Sequence, residues 1–239
     1  MRVGDYGGFC GGTLVASKYV ITAAHCMFEY WDDLVVGVTT AEEISVMVGE
    51  HNRWQQGETN IPEKRIDVKR IINHPNYDQP MNAAWVGPRL GHDISILELE
   101  EEVDLNVYTP ACLAEAADFH TYDGKMVTAA GWGANRTHSG LDAPHEVEVA
   151  VYECPWYREY VDSILCTRDP SGENGKGTWK GDSGGPITFK TGDQHVLVGD
   201  VSGGSGPGKW NFHCRISAVR DWIDQTLSGA TFCGTPNSD

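Results

Sequence analysis

A chain of 239 residues, 40% of them hydrophobic, is long enough for one sizeable core or two small barrels. Its 34 acidic and 18 basic residues leave a net charge of −16, which argues against nucleic-acid binding, because phosphate contacts need clustered Lys and Arg. No apolar run approaches the roughly 20 residues of a membrane span, and seven cysteines without a CxxC suit disulfides in an oxidising compartment better than zinc.

In chain order, Leu14 to Thr22 reads as a strand bent at Ala16-Ser17-Lys18, delivering Thr22-Ala23-Ala24-His25-Cys26. Glu29, Asp32, Asp33, Glu42 and Glu43 mark a long acidic loop. Ile44 to Val48 alternates and predicts a strand. Glu50, Asn52 and Glu58 lie in the polar loop that follows, and Ile66 to Ile72 is a second strand candidate, ended by Asn73-His74-Pro75-Asn76. Gly91-His92-Asp93 then enters the alternating run Ile94 to Leu99, and Glu115 to Asp123 reads as a linker. Short β-like runs resume at Met126–Ala130, Glu146–Val151, Ile187–Lys190, His195–Val201 and Phe212–Ile216. Such runs with Gly-rich turns predict an all-β architecture. One helix is expected near the end, N-capped by Ser217, with Val219, Trp222, Ile223 and Leu227 on one face and Gly229 as its stop.

Gly181-Asp182-Ser183-Gly184-Gly185-Pro186 carries the most chemistry. A serine hydroxyl is a poor nucleophile without a nearby base and a way to hold developing negative charge. Glycines flanking Ser183 permit a sharp turn against a substrate, and the N–H groups of Gly181 and Ser183 are placed to converge on a carbonyl oxygen. Taken alone such a stretch is more often a surface turn, a lone His25 more often a polar surface or satisfied core residue, and Asp93 a polar strand end.

The segments around His25, Asp93 and Ser183, in that order, strongly resemble the chymotrypsin-like (trypsin-fold) serine proteases. Cys10-Gly11-Gly12-Thr13-Leu14, Gly131-Trp132-Gly133 and the terminal Trp222-Ile223 carry the resemblance over nearly the whole chain. It implies two six-stranded-type antiparallel β-barrels, over residues 1–115 and 124–216 of a single protease domain, and a C-terminal helix at 217–228. It implies His25, Asp93 and Ser183 as catalytic triad, Gly181 and Ser183 as oxyanion hole, and Ser202 as a hydrogen-bond partner of Asp93. Gly177, Thr178, Ser202, Gly203 and Gly204 become the substrate pocket. Gly177 stands where trypsin-like enzymes carry Asp, so an uncharged, apolar side chain is expected before the scissile bond. An acid such as Asp200 or Glu173 would restore a basic preference, and Asn211 is a further residue within reach. The implied disulfides are Cys10–Cys26 and Cys154–Cys166, with Cys112–Cys233 as the expected third and Cys214 left as a buried strand residue. The alternative is that Cys112 pairs with a segment outside this sequence and Cys233 between chains.

Several positions depart from the family pattern. Trp179 stands where a cysteine precedes the nucleophile, Gly203 to Gly208 lacks its partner, and Val127 and Phe189 replace both ends of another bridge. Glu50, Asn52 and Glu58 resemble part of a calcium loop, but the loop is short and calcium is not favoured; no other cofactor is implied. Asn135-Arg136-Thr137 is a glycosylation sequon. The acidic stretch after His25 should overhang the leaving-group side of the cleft. In the family, proteolysis frees an Ile- or Val-like N-terminus whose ammonium pairs with the residue matched here by Asp182. Val3 precedes Cys10 by a reach of only about 25 Å, so the first strand is expected to be truncated, upstream sequence to be missing, and the chain alone to be weakly active. The resemblance implies a secreted, monomeric serine endopeptidase acting on protein or peptide substrates and open to protein inhibitors; a catalytically silent protease-like binding module is the alternative.

Overall fold

The computed structural model describes residues 2–4, 10–31, 34–77, 92–135, 137–154, 162–172 and 175–233. Its first half contains β1 (Arg2–Gly4), β2 (Cys10–Gly11), β3 (Thr13–Ala16), β4 (Tyr19–Thr22), β5 (Phe28–Trp31), β6 (Leu34–Val38), β7 (Ser45–Val48), β8 (Lys64–Asn73) and β9 (Ser95–Leu99). The second half contains β10 (Cys112–Leu113), β11 (Met126–Gly131), β12 (His145–Tyr152), β13 (Ile164–Arg168), β14 (Pro186–Thr191), β15 (Gln194–Gly204), β16 (Asn211–Arg215) and the helix α1 (Ile216–Thr226).

The first sheet has the order β2-β1-β7-β8-β9-β4-β3 and curls as a half-barrel. The second runs β15-β14-β11-β12-β13-β16 and closes, because β16 also pairs with β15. Closure removes the unpaired edges that a sheet of this length would otherwise expose. β10 joins the second sheet parallel to β15. The architecture is therefore mostly β, as expected, with one helix at the C-terminal end.

Strand periodicity explains how the two sheets share a core. Successive side chains of a strand point to opposite faces. In β9, Leu97 and Leu99 enter the core of the first sheet with Val20, Val46 and Ile66. Ile96, with Ile21 of β4, points the other way and joins Val149, Leu165, Ile187 and Leu197 of the second sheet. The alternation in Ile94 to Leu99 thus serves two cores at once, and Ile96 and Leu97 are both fully buried.

Four expectations are corrected. The stretch before Cys10 does provide a strand: Arg2–Gly4 pairs with Cys10–Gly11 on one side and Ser45–Met47 on the other. The acidic stretch after His25 is not simply a loop, since β5 and β6 pair within it as a ribbon. Ile164–Arg168 forms a strand between β12 and β16 that the sequence pattern did not single out. The helix begins at Ile216 with Arg215 at its N-cap and no side-chain cap, so Ser217 lies inside the first turn. Strand pairing of β16 up to Arg215 decides that boundary, not local capping chemistry.

Disulfides join Cys10–Cys26, Cys112–Cys233 and Cys154–Cys166, while Cys214 is buried in β16 outside all three. Where two family bridges are missing, apolar packing stands in. Val127 and Phe189 belong to one core cluster, and Phe189 also packs on Tyr122 with ring centroids 5.4 Å apart. The Cys112–Cys233 link fastens the segment after α1 to β10, closing a sequence separation of 121 residues. Replacing both cysteines by serine should lower unfolding free energy by about 2–4 kcal/mol in urea titrations. Peptide mapping without reductant should recover the same pair, and a Cys112–Cys214 linkage would contradict the fold.

Candidate active site

Asp93 sits just ahead of β9, with a side chain only 5% exposed. An isolated buried carboxylate is expensive unless hydrogen-bonded, and three donors surround this one. The backbone N–H of His25 donates to Oδ1 at 2.8 Å, and His25 Nδ1 lies 2.7 Å from Oδ2. Ser202 Oγ, from β15 of the second sheet, also donates to Oδ2. His25 is carried by the short turn Ala24–Met27 that follows β4, and the Cys10–Cys26 bridge fastens this turn to β2.

Electrostatics follow from this arrangement. Burial by itself lowers the pKa of His25, but the charge and hydrogen bond of Asp93 outweigh it and the net displacement is upward. Burial by itself raises Asp93, yet the charge of His25 and bonds from His25 and Ser202 bring it below the usual carboxylate value. With Nδ1–H donating to Asp93, the other ring nitrogen of neutral His25 is left as an acceptor. Ser183 and His25 line one cavity of about 290 Å³ together with Thr178, Lys180, Ser202, Gly203 and Gly204. An imidazole held in one orientation beside a hydroxyl can withdraw its proton.

The loop carrying Ser183 is held against both sheets. Ser183 O accepts Gly11 N–H at 2.7 Å, and Gly184 N–H donates to Val201 O at 2.7 Å. Gly184 adopts φ 72°, and a Cβ there would strike Thr22 Oγ1 and the carbonyl of Gly11, so this position needs glycine. The amides of Gly181 and Ser183 donate to no protein acceptor among the described residues. Asp182 turns away from the cavity. Its Oδ1 accepts Gly133 N–H and its Oδ2 accepts Trp179 N–H, both at 2.9 Å. Side chains at 131 and 133 would collide with this carboxylate, which gives the Gly131-Trp132-Gly133 motif a local reason. Burial raises the Asp182 pKa, and no cation faces it among the described residues.

Asp182 and Gly177 line a second cavity of about 360 Å³, with Gly131, Gly133, Asn135, Thr137 and His145. Gly177 lines this second cavity, while its neighbour Thr178 lines both. Asn211, fully buried, stands between: its Oδ1 accepts Thr178 N–H at 3.2 Å and its Nδ2 donates to Thr178 O at 3.1 Å. Asp200 does not reach the Ser183 cavity. It is 1% exposed, neither carboxylate oxygen has a hydrogen-bond partner, and burial with the nearby Asp93 charge pushes its pKa well above the usual value. Glu173, Asp32, Asp33, Gly91 and Arg136 lie outside the described residues. Glu29, Glu42 and Glu43 are exposed and line neither cavity.

Asn52 N–H donates to one Glu58 oxygen, and Asn52 Oδ1 is taken by Trp54 N–H at 3.0 Å. One buried Glu58 oxygen remains without a partner. No group of three acidic, imidazole or thiol side chains converges there among the described residues. Instead the loop docks on the second half: Trp132 Nε1 donates to His51 O, and Trp54 Nε1 to Asp142, each at 2.9 Å.

A half-barrel and a closed barrel, with a serine, a histidine and a buried aspartate gathered at their junction, define a protein of the chymotrypsin-like class. Residues 2–223 match the Trypsin family, and the chain belongs to it. It is 31% identical over 230 residues to a trypsin of Phaedon cochleariae, covering 91% of this chain and 78% of that protein. It is 30% identical over 236 residues to phenoloxidase-activating factor 3 of Holotrichia diomphalia, and 29% over 240 residues to mannan-binding lectin serine protease 1 of Mus musculus. The match covers 91% and 92% of this chain, but only 64% and 32% of those two relatives.

The His25–Asp93 pair has a testable pH signature. His25 is raised, so its contribution is full below its unfolded pKa and is lost as pH rises through the folded value. Asp93 is lowered, so its contribution is full above its unfolded pKa and is lost as pH falls through the folded value. The pair therefore stabilises most between about pH 4 and 6.5. Asp93→Asn removes the charge that lifts His25, leaving burial to lower it. NMR titration of the ring should then move to lower pH, and an unmoved titration would show that Asp93 does not set it.

Proposed function

We propose that this trypsin-family chain is a secreted serine endopeptidase using Ser183, His25 and Asp93. The observation that carries the reading is the hydrogen-bonded line from Ser202 through Asp93 to His25, ending in the cavity that Ser183 lines. His25 takes the Ser183 proton as Oγ attacks the peptide carbonyl, and the N–H groups of Gly181 and Ser183 receive the oxyanion. His25 then protonates the leaving amine, and water, activated by the same imidazole, releases the acyl group from Ser183. Asp93 holds the imidazole and stabilises its charged form. These steps use protein groups alone.

Ser183→Ala or His25→Ala should reduce peptide or ester hydrolysis by about 10⁴-fold or more, because the three side chains act as a unit. Covalent labelling by a fluorophosphonate should disappear with Ser183→Ala. Hydrolysis retained at full rate in that variant would overturn the reading. No acid among the described residues lines the Ser183 cavity, and Lys180 does, so the side chain before the scissile bond is proposed to be uncharged. Secretion is supported by the three disulfides. No helix of the described residues is long and apolar enough to cross a membrane.

Activation is proposed to follow the resemblance: an ammonium freed by cleavage pairs with Asp182, and the adjoining cavity of about 360 Å³ takes the apolar side chain that enters with it. Such a pair would relieve the burial that now disfavours the charged carboxylate. An upstream segment cleavable between Arg or Lys and Ile-Val should raise turnover once cut, and Asp182→Asn should abolish that gain. Equal turnover before and after cleavage would refute this route.

A further inference from the structure

The tripeptide Asn135-Arg136-Thr137 takes no part in the proposed reaction, yet its asparagine is held in a particular way. Asn135 Oδ1 accepts Thr137 N–H at 2.9 Å, the Thr137 hydroxyl at 3.0 Å and His138 N–H at 2.8 Å. His138 Nδ1 lies 2.7 Å from the same hydroxyl and can donate to it, which leaves the hydroxyl proton for Oδ1. The carboxamide is thus fixed by its oxygen, whereas no acceptor among the described residues takes its Nδ2–H groups. A group attached to Nδ2 costs the folded chain no hydrogen bond, while the same attachment to a paired, buried amide would forfeit one. The turn also lies at the surface: Thr137, His138 and Ser139 are exposed and Asn135 is half-buried. Asn135 and Thr137, with Leu141 and the exposed His145, line the cavity of about 360 Å³ that Asp182 also lines.

We propose that Asn135 carries an N-linked oligosaccharide whose first sugar caps the mouth of the Asp182 cavity. The modification presupposes the secreted reading, and what the cap controls rests on the activation reading. A hydroxyl two positions after the asparagine, with a residue other than Pro between, meets the chemical requirement. In the transfer, Nδ2 attacks C1 of a sugar carried on a lipid pyrophosphate. The N–C1 bond forms, the C1–O bond breaks with its electron pair leaving on the pyrophosphate, and Nδ2 gives up one proton to a base. After folding, the three bonds to Oδ1 set where the first sugar starts. A branched oligosaccharide is too large to enter the cavity, so it runs across the mouth and outward into solvent. An N-terminus entering to meet Asp182 must then pass beside the first sugar, which weakens and slows that entry.

The test compares the chain secreted from a eukaryotic host with the same chain exported to a bacterial periplasm, which adds no such sugar. Thr137→Ala from the eukaryotic host is the second unmodified protein, should the periplasmic one fold poorly. The eukaryotic protein should lose mass on treatment with peptide N-glycosidase, and peptide mapping should then find Asp in place of Asn135. Thr137→Ser should keep the added mass. By NMR, the N-acetyl methyl of the first sugar should contact the side chains of Leu141 and His145. An unmodified Asn135 in the folded eukaryotic protein would overturn the proposal, and sugar contacts confined to His138 and Ser139 would overturn the cap. The dipeptide Ile-Val, titrated by calorimetry, should bind the unmodified protein about tenfold more tightly than the glycosylated one. Equal affinity for both forms would show that the sugar does not control entry. Binding to neither form would sink the activation reading alone, since mass and sugar contacts would still decide the site and its cap.

Discussion

The buried carboxylate of Asp93 is the constraint around which the junction is built. A charge with so little solvent access must be met by donors at fixed positions, and those donors come from both halves of the molecule. His25 supplies its backbone N–H and its ring nitrogen from the turn after β4, while Ser202 reaches across from β15. Satisfying this one group therefore sets the orientation of the imidazole and the approach of the two sheets together. It also explains a rigid ring beside Ser183 without any contact between His25 and the second sheet being required.

A second set of contacts holds the serine loop from behind. Ser183 is tied to β2 through Gly11, and Gly184 to β15 through Val201. Asp182 is anchored by backbone N–H groups at Gly133 and Trp179. The loop thus touches both sheets while leaving the amides of Gly181 and Ser183 available. Trp179, standing in place of a cysteine, lies close to Gly206 of the segment where a bridge would have ended. Val127 and Phe189, at the two ends of another missing bridge, belong to one apolar cluster.

Much of the molecule was legible before any coordinates. Alternation in Ile44 to Val48, Ile94 to Leu99 and Ile187 to Lys190 predicted strands, since a half-buried strand must alternate. The His25, Asp93 and Ser183 segments pointed to one site because each is a short, local pattern with a recognisable order. The same holds for Gly131-Trp132-Gly133, whose glycines make room for the Asp182 carboxylate.

Other features depended on partners distant in sequence. Strand β1 exists because Cys10–Gly11 and Ser45–Met47 offer it edges on both sides, which no local propensity reports. The β5–β6 ribbon sits in a stretch whose acidity suggested a loop, because pairing satisfies its backbone whatever the side-chain charge. Gly177 lines a cavity with Asp182 and Gly133, residues distant from it or from each other in sequence, which no local pattern reports. Sequence by itself determined the candidate site residues, since His25, Asp93 and Ser183 lie in short local motifs. Tertiary structure alone decided how those motifs meet, because Ser202 of β15 and the turn carrying His25 converge on the Asp93 carboxylate only once both sheets have folded.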